Sequence, residues 1–169
     1  MTNVRKDLMK YLFLAVVAIL ACAANAQETV ILVRHAELQS SPMSGPKQVP
    51  LSEAGSDRAR RLADLLKDSG IDAIYVTDFV RTQKTAEPLA QALHKQLTVI
   101  PKGDPRPLLE RLRASPDAHT VLLVGHSDTL PGLLKTLGYP GEVKIEDYGN
   151  IFVVMQKREG APGFLRLRY

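Results

Sequence analysis

Two short, uncharged runs constrain this chain most. Thr29-Val30-Ile31-Leu32-Val33 leads into Arg34-His35-Ala36-Glu37, and Thr120-Val121-Leu122-Leu123-Val124 leads into Gly125-His126-Ser127-Asp128. A continuous β-branched run of this length, without the alternation of a half-exposed strand, reads as a strand covered on both faces. Strands of that kind belong to parallel α/β sheets, whose ligands sit beyond the carboxyl ends of the strands. The sequence therefore predicts that Arg34, His35 and His126 share one rim of one sheet.

Helical patterns fill the space between the runs. Ser52 is placed to cap a helix in which Ala59, Leu62, Ala63, Leu65 and Leu66 recur at helical spacing, with Gly70 as its stop. Ile71 to Val76 reads as a second strand, and a helix follows over 79–94, with Pro88 as a local conflict. A third strand spans 97–100, a loop 101–107 and a short helix 108–113. After the second histidine run comes a helix over 130–137 closed by Gly138, then a hairpin of 151–156 and 164–168 with turn chemistry from Gly160 to Gly163. The alternation predicts a three-layer α/β sandwich with a mostly parallel central sheet. Residues 38–50, rich in Ser, Pro and Gly, form a long loop after the first histidine and are expected to cover a site, with 101–107 also shaping the pocket.

The first 26 residues read as a leader rather than as fold. Arg5, Lys6 and Lys10 precede the uncharged apolar block Tyr11 to Cys22, and Ala24-Asn25-Ala26 fits a small-x-small cleavage site before Gln27. The block is short of the roughly 20 residues of a membrane span. An uncleaved anchor and lipidation at Cys22, the only cysteine, are the alternatives. Cleavage would leave one domain over 27–169 with no stable membrane span, exported to the periplasm or secreted. Removing three basic residues and the acidic Asp7 would lower the net charge from +4 to +2. A weakly basic domain without basic runs among aromatics gives no case for nucleic acid.

Val33-Arg34-His35-Ala36-Glu37 resembles the Arg-His-Gly signature of the histidine phosphatase superfamily, which includes the phosphoglycerate mutases. The resemblance continues in order through Leu51-Ser52-Glu53-Ala54-Gly55, Ile74-Tyr75-Val76-Thr77, Arg81-Thr82-Gln83-Lys84-Thr85-Ala86 and Val124-Gly125-His126-Ser127. Ala36 stands where glycine is usual, and the interval from Arg81 to His126 is short, which points to a small phosphatase rather than a glycolytic mutase. The resemblance implies a phosphoglycerate mutase-like fold, a small phosphorylated substrate and a phosphohistidine intermediate on His35, with no cofactor and no metal. Arg34 and Arg81 can bind phosphate oxygens bidentately. A neutral imidazole is a good nucleophile near neutral pH, which suits His35. His126, protonated or as a hydrogen-bond donor, would stabilise the transferring group.

Asp128 is the candidate proton donor to the leaving group, and the cap of the following helix is its other reading. Glu37 is expected to orient or cap. His94, His119 and Glu110 are expected at the surface, and Lys102 and Arg106 on a solvated loop, with contact to an anionic substrate as their other reading.

Three competing readings are open at this stage. Gly125-His126-Ser127-Asp128-Thr129 approaches a nucleophile elbow, but Thr129 is not glycine and no histidine follows His126. His35-x-Glu37 with His126-x-Asp128 could ligate a metal, which two neighbouring arginines disfavour. The third is a phosphoryl- or anion-binding module with weak turnover on the same fold. Oligomeric state is not readable from the sequence.

Overall fold

The computed structural model describes residues 28–40, 45–114, 119–157 and 160–169. The expected leader, its expected cleavage site and Cys22 lie outside them. The elements run β1 (Glu28–Arg34), α1 (Glu53–Leu66), β2 (Ile71–Thr77), α2 (Val80–Ala92), β3 (Leu97–Ile100), α3 (Arg106–Ala114), β4 (Thr120–Gly125), α4 (Leu130–Thr136), β5 (Asn150–Gln156) and β6 (Gly163–Arg168). They build one six-stranded sheet in the order β3-β2-β4-β1-β5-β6. The first four strands in that order are parallel, and β5 and β6 are antiparallel additions at one side.

The two histidine-bearing strands are neighbours. β1 pairs with β4 from Thr29↔Thr120 to Arg34↔Gly125, so His35 and His126 leave the sheet side by side.

Alternate residues of the buried strands serve opposite layers. Val30, Leu32 and Leu123 pack with Leu108 of α3 and Leu130 and Leu134 of α4. Ile31, Val33 and Leu122 pack with Leu62 and Leu66 of α1 and Leu89 of α2. Because both faces are covered, the runs are apolar throughout rather than alternating. This is the expected three-layer sandwich. Among the described residues no helix is long and apolar enough to cross a membrane.

Ser52 caps α1 as expected, its hydroxyl accepting from the Gly55 N–H at 3.1 Å. One member of the predicted stripe is misplaced: Leu65 is exposed, because it falls beyond the edge of the face set by Ala59, Leu62, Ala63 and Leu66. Gly55 has a steric reason to be glycine, since a Cβ there would lie 2.2 Å from the carbonyl oxygen of Glu37. The start of α1 is thereby pressed against the segment that follows His35.

Helix α2 runs through Pro88. α3 starts two residues earlier than the sequence suggests, which shortens the preceding loop to 101–105.

Candidate active site

His35 is 5% exposed, and its main-chain N–H donates to the Gly125 carbonyl at 2.9 Å. Its ring centroid lies 5.3 Å from that of His126, which is 2% exposed. The His35 Nδ1 is 2.9 Å from the Ala36 carbonyl, an acceptor only, so Nδ1 carries the proton and Nε2 keeps its lone pair. Burial, with the Arg81 and Arg34 charges adding to it, pushes the His35 pKa down to about 4. The ring is therefore neutral at physiological pH. The Ala36 N–H donates to Thr85 Oγ1 at 2.9 Å, and that hydroxyl donates to the Arg81 carbonyl at 2.7 Å. One hydroxyl thus fixes the histidine loop to the helix that carries Arg81.

Both arginines are held from behind. Arg34 donates from Nη1 to the Glu146 carbonyl at 2.8 Å, and its guanidinium stacks 4.0 Å from the Tyr148 ring. Arg81 donates from Nη1 to the Pro46 carbonyl at 2.8 Å and lies 4.2 Å from the Phe79 ring. Each keeps a buried Nε–H with no hydrogen-bond partner among the described residues. A buried, unsatisfied cationic donor is costly, and an anion is the group that relieves it.

His126 is set differently. Arg81 can only donate, so the 3.3 Å contact from its Nη2 makes His126 Nδ1 an acceptor. The proton then sits on Nε2, 2.9 Å from Thr77 Oγ1. Thr77 Oγ1 continues to Thr82 Oγ1 at 2.9 Å, and Thr82 donates to the Phe79 carbonyl at 2.8 Å. Burial, then the charge of Arg81, lowers the His126 pKa to about 3. In the resting geometry His126 is neutral and braces Arg81, with its Nε2–H directed at Thr77. The desolvation of a site containing two guanidiniums is the reason.

Asp128 does not cap α4. The cap position is Thr129, without a side-chain cap bond. The Asp128 carboxylate instead accepts from Lys102 Nζ at 2.7 Å and is 61% exposed. That ion pair holds its pKa below the ordinary value, so it is ionised at neutral pH rather than poised as an acid. Lys102 thus lies on an exposed turn, as expected, but is paired there, and it also lies 5.6 Å from the Phe79 ring. Arg106 does project to solvent, paired with Asp104.

Glu37 takes the orienting role. Arg58 grips both its oxygens, with Nε at 2.8 and 2.9 Å and Nη2 at 2.7 Å, and reaches the Tyr169 carbonyl with Nη1 at 2.9 Å. With Glu37 bound to Arg58 and Asp128 to Lys102, the proposed carboxylate ligands of a metal are already occupied. Among the described residues no group of three or more His, Cys, Asp or Glu is arranged to hold a metal ion.

His94 and Glu110 are exposed as expected. His119 is half-buried beside Asp72 rather than at the surface.

Sequence reasoning placed Thr77 and Thr85 within the motifs without giving them a role, and missed Phe79 and Tyr148. Thr77 ends β2 on the same rim as the histidines, and strand-end position was the available clue. Tyr148 lies in a segment without periodicity.

Residues 30–102 match the family model described as histidine phosphatase superfamily (branch 1). The chain is 42% identical over 65 residues to "Probable phosphoglycerate mutase GpmB" of Cronobacter sakazakii, a stretch covering 37% of this chain and 30% of that protein. The match to the protein of the same description in Escherichia coli is 39% over 66 residues, or 37% of this chain and 31% of that protein. The matched stretch thus spans about a third of the length of these curated relatives. Among solved structures, the protein histidine phosphatase SixA complexed with tungstate superposes with a TM-score of 0.70 at 22% identity, covering 83% of this chain and 96% of that one. A mycobacterial glucosyl-3-phosphoglycerate phosphatase gives a TM-score of 0.64 at 17% identity, covering 84% and 98%. At such identities the structural likeness is one of fold.

Proposed function

We propose that this chain, whose residues 30–102 match the histidine phosphatase superfamily model, is a member of that family that hydrolyses phosphomonoesters or related phosphoryl compounds through a phosphohistidine on His35. The observation that carries the reading is the β1–β4 register, which brings two neutral imidazoles together beside Arg34 and Arg81.

The substrate phosphate would bridge the two guanidiniums, which supply charge and orientation. His35 Nε2 then attacks phosphorus as the bond to the leaving oxygen breaks, and Nδ1 keeps its proton on the Ala36 carbonyl. The departing oxygen needs a proton unless it is already a weak base. Asp128 is the nearest candidate by sequence, but it must first be protonated, and Lys102 opposes this. The resting geometry therefore favours good leaving groups. Water next attacks the phosphohistidine, the P–N bond breaks, phosphate leaves with the added oxygen, and His35 returns neutral. His126 acts in both steps by holding Arg81, and an incoming dianion would raise its proton affinity.

The leader supports an extracytoplasmic setting, the periplasm or outside the cell, with phosphorylated compounds of that compartment as substrates.

The test is a rapid quench after mixing with a ³²P-labelled aryl phosphate. Acid-labile, base-stable label on the wild type and none on His35→Ala is the expected result. Hydrolysis by His35→Ala at the wild-type rate would end the proposal. Phosphate binding without hydrolysis would favour the anion-binding module.

A further inference from the structure

We propose that a cavity beside Asp128 receives the organic part of the substrate, and that this part is uncharged and mostly apolar. The proposal rests on the phosphatase reading and narrows it to one class of ester.

The cavity has a volume of about 400 Å³ and lies beyond the ends of three parallel strands, touching Thr77 of β2, Ile100 of β3 and Gly125 of β4. Its walls are chiefly Ile100, Pro101, Pro105, Leu123, Leu130 and Leu133. That size, lining and position suit a small organic group.

It does not include either imidazole, yet it shares a boundary with their site. Thr77 lines the cavity and bonds His126 Nε2 at 2.9 Å. Gly125 lines it and accepts the main-chain N–H of His35. Asp128 lines it and spans to Lys102 at 2.7 Å, joining the loops after β3 and β4. The recess thus adjoins the site of the two histidines, with a carboxylate at the junction.

Charge narrows the occupant. The carboxylates lining the cavity are Asp104 and Asp128, and each already holds its cation, Arg106 or Lys102. Among the described residues that line the cavity none is a cation, and the carboxylates repel a second anionic group.

Gly132 gives the cavity an independent mark. It lies inside α4, where glycine is a poor choice, and it lines the recess. A Cβ built on it meets nothing within 4 Å. Gly132 is itself exposed, so a large side chain there would stand at the mouth of the recess, away from the residues assigned to phosphoryl transfer.

The experiment compares phenyl phosphate with 4-biphenylyl phosphate, whose leaving groups are of similar basicity. It uses wild type, Gly132→Leu and the milder Gly132→Ala, and it also measures binding of phenylphosphonate and 4-biphenylylphosphonate by calorimetry. Wild type should favour the biphenylyl ester by about tenfold or more in kcat/KM, the gain expected from burying a second ring. Gly132→Leu should cut that preference to within about twofold while phenyl phosphate turnover stays near wild type. If the leucine variant does not fold, a preference at least halved in Gly132→Ala is the expected result.

Equal affinity of the wild type for the two phosphonates, or a preference unchanged by filling Gly132, would overturn the proposal. Tight, Gly132-sensitive binding of the biphenylyl phosphonate with no ester hydrolysis would overturn the phosphatase reading and leave the cavity assignment standing.

Discussion

Two loops leave adjacent strands with the same short pattern: a histidine, one residue, a carboxylate. After β1 the pattern is His35-Ala36-Glu37, and after β4 it is His126-Ser127-Asp128. In the first, Glu37 is about a quarter exposed and is clamped by Arg58, which also reaches the end of β6. In the second, the carboxylate is well exposed and meets one lysine from a neighbouring loop. The first loop is built into the scaffold, and the second can exchange its partner. Identical spacing therefore says little about role. The surroundings decide whether a carboxylate positions a backbone or stays available to a substrate.

The comparison can be broken most sharply at the histidines. His35→Ala should lose about 10³-fold or more in kcat/KM on an aryl phosphate, the scale of removing a nucleophile, while His126→Ala should retain phosphoenzyme formation at a reduced rate. Rapid-quench labelling checks both. A labelled His35→Ala enzyme would invert the roles assigned to the loops.

Glu37→Gln comes next. It leaves the Arg58 guanidinium partly buried without its counter-charge, and a loss of about 2 kcal/mol in urea unfolding is expected. The acid side of the stability curve adds a test of sign. Arg58 lowers the Glu37 pKa in the fold, so its contribution is complete above the unfolded value and fades as pH falls through the lower folded one. The two buried histidines act in the same direction. Their folded values of about 4 and 3 lie below the ordinary 6.5, so stability should start to fall below pH 6.5 and keep falling toward pH 3. Glu37→Gln should flatten only the most acidic part of that curve.

Thr77→Val removes the acceptor for His126 Nε2–H and should lower kcat by about tenfold. Thr77→Ser should restore the rate, which a purely steric role for the threonine methyl would not permit.

Asp128→Asn should show the smallest effect on stability, within about 0.5 kcal/mol, as befits an exposed ion pair. Its consequence should instead fall on alkyl phosphates, with aryl phosphates nearly unaffected. An equal loss on both would remove Asp128 from the list of donors.

Most of the architecture was legible because it follows from periodicity. The continuous runs of β1 and β4 announce strands covered on both faces, and the Ala59, Leu62, Ala63, Leu66 stripe announces a helix with one buried side. Leu65 shows the limit, since composition marks it apolar and only angle on the helix puts it outside. The rim residues Arg34, His35 and His126 were legible because strand ends are where such sheets bind ligands. Thr77, Thr85 and Tyr148 were not, because their importance lies in a hydroxyl or a ring meeting a partner dozens of positions away. Nor does sequence reveal protonation. The neutral state of His126 comes from burial next to Arg81, which exists only once β2, α2 and β4 have come together.

The pairing of β1 with β4 carries one more consequence. A slip of a single position along that ladder would turn each buried side chain toward the wrong layer and carry the imidazoles out of alignment. Such a misassembled molecule would contain all the needed groups and catalyse nothing. Specific activity in a refolded batch is thus a census of correctly threaded molecules, readable without resolving a single one of them.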